Sequence, residues 1–230
     1  MTTSTPSTKK LLVAGIALSA ALGLGACSSD GATASDSSSS SSTQIARPEP
    51  IASLPAIPAG GSTAVALDTN FVSALGTLGL TPATVGTATL ADGSVSFPIT
   101  GGTVTVFDKS SGYRPYVQGT LLHQNSGLSL TAGGTTVELT NFTVDPGTPA
   151  RLFGDVAVNG QQAAASAPLF DLDGTTLNPI TMDSSGNAVL QGTTVKLSPE
   201  AAALLNQTFG TDALAGGLVI GIATITVPTS

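Results

Sequence analysis

The chain has no tryptophan, one cysteine and one histidine, and only 9% of its residues are charged. Each scarcity excludes something. A single cysteine cannot close a disulfide within the chain, and it cannot build a thiolate zinc site. A single histidine leaves no room for a multi-histidine metal centre. The chain has only seven Lys and Arg against 14 Asp and Glu, so it has no basic stripe for nucleic acid and no polybasic patch for anionic lipid. No apolar run reaches the length of a membrane-spanning helix. Gly, Thr, Val and Ala are abundant instead, a mix that favours β-structure with many turns over a helical bundle.

The cysteine, Cys27, is well placed. Lys9 and Lys10 form a short positive region, and Leu11 to Leu24 is uncharged and nearly all apolar or small. That is the build of a secretory signal. The run ends Leu24-Gly25-Ala26-Cys27, which resembles the lipobox of bacterial lipoproteins. The resemblance implies a diacylglyceryl thioether on Cys27, cleavage before it and acylation of the new amino terminus. Two or three acyl chains make a lasting anchor where one would hold marginally. The expected location is the membrane, lipid-anchored, on the extracytoplasmic face. Cleavage removes two lysines and no acid, so the mature chain is more acidic than the formal charge of −7. Asn141-Phe142-Thr143 and Asn206-Gln207-Thr208 match a glycosylation pattern that carries no weight in a bacterial lipoprotein.

Three segments follow: a signal peptide over 1–26, a disordered Ser/Pro-rich tether over 27–59, and a β-rich extracytoplasmic domain over 60–230. The tether contains the serine run Ser37 to Ser42 and then RPEPIASLPAIP. The first part lacks apolar surface to bury, and the second favours polyproline II.

The domain opens with a strand at Val65–Leu67. Asp68 caps a helix whose stripe is Phe71, Leu75 and Leu78, with Gly79 and Pro82 closing it. Gly86 to Leu90 reads as the next strand. The pattern returns late: Val195–Leu197 as a strand, Ser198 as cap, Pro199 and Glu200 in the first turn, then a strand over Leu218–Val227. The two stretches align as a weak internal repeat, with Gly86–Leu90 falling on Gly221–Ile225; chance similarity is the other reading. Between them lie strand signals at short intervals. Val95–Ile99 and Gly102–Phe107 read as a hairpin, with Pro98 at an edge or bulge. Val117–Leu122, Leu128–Thr131 and Thr135–Val144 follow, with a phase slip near Thr140–Asn141 that predicts a bulge. Asn159-Gly160 turns the next hairpin. The expected fold is mainly β, an antiparallel β-sandwich or open barrel of short strands with two short helices near the domain ends.

Few residues carry chemistry. His123 could serve a Ser-His-Asp arrangement, but no nucleophile-elbow sequence accompanies it. Asp171 and Asp173 could form a carboxylate pair, or a strand end entering a turn; as a calcium loop the segment lacks its closing acid. Tyr113, Tyr116 and His123 gather within a short span, and tyrosinate or imidazole can ligate haem iron. The alternative is a loop dressed by two tyrosines and a histidine at a strand end.

Gly119-Thr120-Leu121-Leu122-His123, Gly127-Leu128-Ser129-Leu130 and Leu139-Thr140-Asn141-Phe142-Thr143-Val144 resemble the middle of the Htaa-type haem-binding domains of actinobacterial surface proteins. Leu197-Ser198-Pro199-Glu200-Ala201-Ala202 is similar to their late helix start. The resemblance spans roughly 119 to 225. It implies a shared fold, and haem as ligand. The family's opening tryptophan and Ser-Phe-x-x-Tyr segment have no counterpart here, and its late Phe-Tyr is Thr208-Phe209. His123 alone carries over.

The sequence therefore points to a non-catalytic, lipid-anchored binding or structural module, with membrane contact through Cys27 and haem as the foremost candidate ligand. The alternative is an apolar-ligand carrier, a lipid-ferrying lipoprotein with a concave face lined by Val104, Val106, Leu128, Leu130, Val137 and Leu139. A cell-wall hydrolase ranks last, for want of catalytic residues.

Overall fold

The computed structural model describes residues 46–229. Cys27, its lipobox and the serine run lie outside the described residues. In order the elements are β1 (Ala52–Leu54), β2 (Ser62–Leu67), α1 (Thr69–Thr77), β3 (Thr81–Gly86), β4 (Thr89–Ala91), β5 (Ser94–Pro98), β6 (Gly101–Val106), β7 (Val117–Ala132), β8 (Thr135–Asp145), β9 (Arg151–Val158), β10 (Gln161–Asp173), β11 (Thr181–Met182), β12 (Ala188–Leu197), α2 (Pro199–Phe209) and β13 (Val219–Val227).

The expected caps form. The Asp68 carboxylate accepts from the backbone N–H groups of Asn70 at 2.8 Å and Phe71 at 3.2 Å, satisfying two orphan donors of α1. Ser198 is wholly buried and does more than cap α2. Its Oγ accepts from Ala201 N at 2.9 Å and donates to the Pro168 carbonyl at 2.7 Å, tying the helix to β10.

The 13 strands form one sheet in the order β1-β6-β7-β8-β9-β10-β12-β13-β2-β5-β4, with β11 added on β12 and β3 on β7. All pairings are antiparallel. The sheet curls into a half-barrel, so of the two expected architectures the open barrel is the one adopted. The curl brings the far end back towards the start: beyond β5, Thr100 N donates to Leu122 O of β7 at 2.8 Å.

Two bulges meet where the sheet bends. In β8 the register slips between Thr140 and Thr143, and Asn141 takes φ 55°. This is the bulge the phase slip predicts. Its counterpart in β7, between His123 and Gly127, was not legible. Asn141 links the two: its Oδ1 accepts from Asn125 N at 2.9 Å, and its Nδ2 donates to Asp155 at 3.0 Å. Each bulge shifts the alternation by one residue, so Leu121 and His123 before it and Leu128 and Leu130 after it all remain on buried faces. Gly127 is required there, because a Cβ would run into the Leu139 carbonyl.

Four expectations change. Residues expected to be disordered belong to the sheet: β1 pairs with β6, and Ile57 is buried with Ile99 and Leu121 in a second, smaller core. The side chains of Leu54 and Ile57 are what dock the segment. Val95–Ile99 and Gly102–Phe107 are not a hairpin, because β5 pairs with β2 and β4 while β6 pairs with β1 and β7. Gly86–Leu90 is not one strand, since Gly86 at φ 64° turns the chain between β3 and β4. That removes the last part of the repeat. Gly221–Ile225 lies inside β13, which lines up between β12 and β2, whereas the strand following α1 pairs with β7. The main core lies between the concave sheet and the two helices, and includes Leu75, Leu205, Phe97, Phe142 and Phe170.

Candidate functional site

The alternation of β2, β5, β8, β10, β12 and β13 turns one apolar face inward, and the curl wraps that face around a cavity of about 450 Å³. That is within the roughly 300–1,000 Å³ of small-molecule sites. Val65, Val95, Phe97, Phe142, Phe170 and Ile225 are among its walls. Phe97 and Phe142 meet edge to face at 5.3 Å between centroids, and Phe142 meets Phe170 at 6.4 Å. The rim is built from three loops: Arg114 to Tyr116, Pro146 to Thr148, and Gly174 to Leu177.

His123 is the only imidazole in the chain and stands in this wall beside Phe97, ring centroids 6.3 Å apart. It is 1% exposed. Its Nδ1 lies 3.0 Å from the Pro98 carbonyl and its Nε2 lies 3.2 Å from the Thr63 hydroxyl. A carbonyl only accepts, so Nδ1 carries the proton. Nε2 of the neutral ring then holds a lone pair and accepts from Thr63. Burial pushes the imidazole pKa down, and the Pro98 and Phe97 backbone carbonyls oppose that only partly. The ring is therefore neutral at pH 7. A metal-ligating histidine shows the same arrangement, with one ring N–H fixed on a backbone carbonyl and the other nitrogen free of its proton. The same bonds also join β7 to β2 and β5 and so staple the curl.

The expected trio separates. Tyr116 lines the cavity rim with His123 in the wall, but Tyr113 does not line it. Tyr113 packs edge to face on buried Phe107, 4.8 Å between centroids. The concave face expected of a carrier is also different. Of its six residues only Leu128 lines the large cavity. Val137 is a core residue, Val104 packs on the second core, and Val106 pairs with Ala52. Leu128, Leu130 and Leu139 border a second, smaller cavity of about 70 Å³ beneath α1.

Asp171 and Asp173 are strand-end acids in ion pairs. Arg151 Nε is 3.1 Å from Asp171, and Lys196 Nζ is 2.7 Å from Asp173. Lys196 and the Thr175 hydroxyl and backbone N–H hold the Asp173 carboxyl well below the usual carboxylate range. Asn206 is likewise structural, bracketing the backbone of Leu214. Among the described residues no cluster of three or more His, Cys, Asp and Glu is placed to hold a metal ion. Sequence reasoning missed Thr63 and Phe97, which only the crossing of sheet ends brings to His123. Pro98 carried the one usable signal, as an edge position whose carbonyl is left for a side chain.

No family model matches the chain. No curated protein matches it either. Solved structures do. The C-terminal domain of HtaA from Corynebacterium glutamicum is 14% identical, with a TM-score of 0.50, over 76% of this chain and 97% of that one. The N-terminal domain of the same protein is 16% identical with a TM-score of 0.48, over 75% of this chain and 99% of that one. The haem-binding protein HtaB of that organism is 11% identical with a TM-score of 0.44, over 75% and 93%. The first of these shows a shared fold, which agrees with the Htaa-type resemblance of residues 119 to 225.

Proposed function

We propose that this chain is a lipid-anchored, extracytoplasmic binding module whose ligand occupies the cavity of the half-barrel, and that the ligand is haem. The observation that carries the reading is the apolar cavity with one neutral imidazole in its wall, oriented by the Pro98 carbonyl. The Htaa-type motifs name haem, and the fold shared with the HtaA C-terminal domain supports them. The residues fit the group in volume, in apolar lining and in donor type. His123 would hold the iron through Nε2, in place of its hydrogen bond with the Thr63 hydroxyl, and Phe97 and Phe142 would supply apolar wall. When bound, haem would supply an iron centre for uptake or transfer. In this reading the protein residues bind and orient the ligand, with the His123 ring positioned between the Pro98 carbonyl and the Thr63 hydroxyl.

The test is a haem titration followed by absorbance. One-to-one saturation with a Soret shift that His123→Ala abolishes is expected; a flat titration overturns the haem reading. A specific observation favours the second reading, an apolar-ligand carrier. The small cavity shares Leu67, Val95, Leu128, Phe170 and Ile220 with the large one, so an acyl chain would find room beyond it. Co-purifying lipid in native mass spectrometry, with no haem uptake, is its signature. For the anchor, Cys27→Ser is expected to release the protein from the membrane fraction. Retention at the wild-type level would refute lipidation.

A further inference from the structure

Arg151 and Lys196 are held by Asp171, Glu200 and Asp173. The remaining cations of the described residues, Arg47, Lys109 and Arg114, have no carboxylate within ion-pair distance among those residues. They are not scattered. All three sit on the aromatic cluster of the rim loop: Arg47 is 5.2 Å from the centre of Phe107, Lys109 Nζ is 4.6 Å from the centre of Tyr116, and Arg114 is 5.8 Å from the same ring. In so acidic a chain, two cations of one loop and a third from the segment before β1, all without a carboxylate partner on one aromatic cluster, need a reason.

Arg114 is also held in position. Its Nη1 donates to Tyr113 O at 2.8 Å and its Nη2 donates to Lys109 O at 3.2 Å. Two neutral carbonyls fix the guanidinium without cancelling its charge, and they occupy two of its five N–H donors. Arg114 lines the cavity, and so does the Tyr116 ring beneath both cations. The nearby acids Asp108 and Asp145 form no ion pair with them and bond to backbone N–H groups instead. Asp108 is turned to Ser110 N at 2.8 Å, and Asp145 is turned to Gly147 N at 2.9 Å.

We propose that Lys109 and Arg114 form an anion clamp at the cavity mouth, which selects amphipathic ligands carrying a carboxylate at one end of an apolar body. The guanidinium matches a carboxylate in a two-point geometry, and the ammonium adds a point charge across the tyrosine ring. The clamp rests on the reading of the cavity as a ligand site. It does not depend on His123 or on iron.

The test separates the two. The full chain is titrated with metal-free protoporphyrin IX, which has two carboxylates, and with its dimethyl ester, both followed by porphyrin fluorescence. The free acid is expected to bind about tenfold more tightly than the ester, a preference that shrinks with added salt. Lys109→Ala, whose side chain ties no backbone group, and Arg114→Ala should each reduce the preference, and the double variant should erase it. Equal binding of acid and ester overturns the clamp, as does a preference untouched by both substitutions, or binding of neither porphyrin. A haem titration on the same samples reports on His123 separately. A preference for the acid with no His123-dependent Soret shift leaves the clamp standing and the iron ligand wrong. Oleate and methyl oleate repeat the comparison, and show whether the clamp serves a porphyrin or a fatty acid.

Discussion

At the scale of single residues, His123 combines two demands. It closes hydrogen bonds between β7 and the opposite end of the sheet, and its burial beside two uncharged partners favours the neutral ring. Its folded-state pKa lies below the ordinary 6.5. Above that value both folded and unfolded chains hold a neutral ring, and the group has no effect on the balance. Below it the unfolded chain takes up a proton that the folded chain refuses, so stability falls as pH falls, by up to about 1.4 kcal/mol per pH unit until the folded ring itself titrates. The chain has no second histidine. Asp155, Asp173, Asp183 and Glu200 all have pKa values lowered by hydrogen bonds, so their losses come at lower pH. Urea unfolding between pH 7 and pH 5 should therefore show the slope, and His123→Asn, which can still donate to Pro98, should flatten it. A slope unchanged in that variant would mean another group is responsible. The sequence made His123 and Tyr116 legible as rare chemical types. It could not show Thr63 or Phe97 beside them, because ordinary residues become a site only through the sheet's curl.

At the scale of elements, the local features were legible and the partners were not. Caps at Asp68 and Ser198, the turn at Asn159-Gly160 and the slip at Asn141 all follow from side-chain chemistry within a few residues. Which strand lies beside which does not. Val95–Ile99 and Gly102–Phe107 looked like a hairpin because they alternate and flank Gly101. In the fold, β5 and β6 belong near opposite ends of one sheet, and Thr100 bridges to Leu122 instead of turning the chain. Two substitutions measure how much local chemistry supports the sheet. Ser198→Ala removes the cap of α2 and leaves the half-buried Pro168 carbonyl without its hydroxyl donor; a loss of about 1–2 kcal/mol is expected in denaturant unfolding. Asn141→Ala removes two hydrogen bonds and places an alanine at positive φ. It should cost about 2–3 kcal/mol, and Asn141→Gly should cost less, because glycine accepts that backbone. If glycine were as damaging as alanine, the side-chain bonds alone would matter and backbone strain would not.

At the scale of the whole molecule, the open sheet has an edge to protect, and the segment ahead of residue 60 protects it. Ile51 N donates to Val106 O and Ile57 N donates to Gly102 O, each at 2.8 Å, so residues 51 to 57 run along β6 and cover its free side. Ile57 fills the second core between Ile99 and Leu121. Arg47 reaches Phe107, beside the loop that carries Arg114 and Tyr116. The chain thus enters the domain next to the cavity mouth. The boundary at 59 misplaced this segment because its prolines read as a spacer, while its three-residue strand is too short to show an alternation. A chain begun at residue 60 should differ from one begun at residue 46 in two ways. Loss of the buried isoleucine should lower stability by about 2–4 kcal/mol, a deficit that Ile57→Ala in the longer chain should largely reproduce. The uncovered edge of β6 should also pair between molecules, which light scattering during size-exclusion chromatography would detect as dimers that Ile57→Ala does not form. If the shorter chain is as stable and as monomeric as the longer one, β1 is an ornament on the sheet. If it loses both properties, the domain begins at its strap, ahead of residue 60.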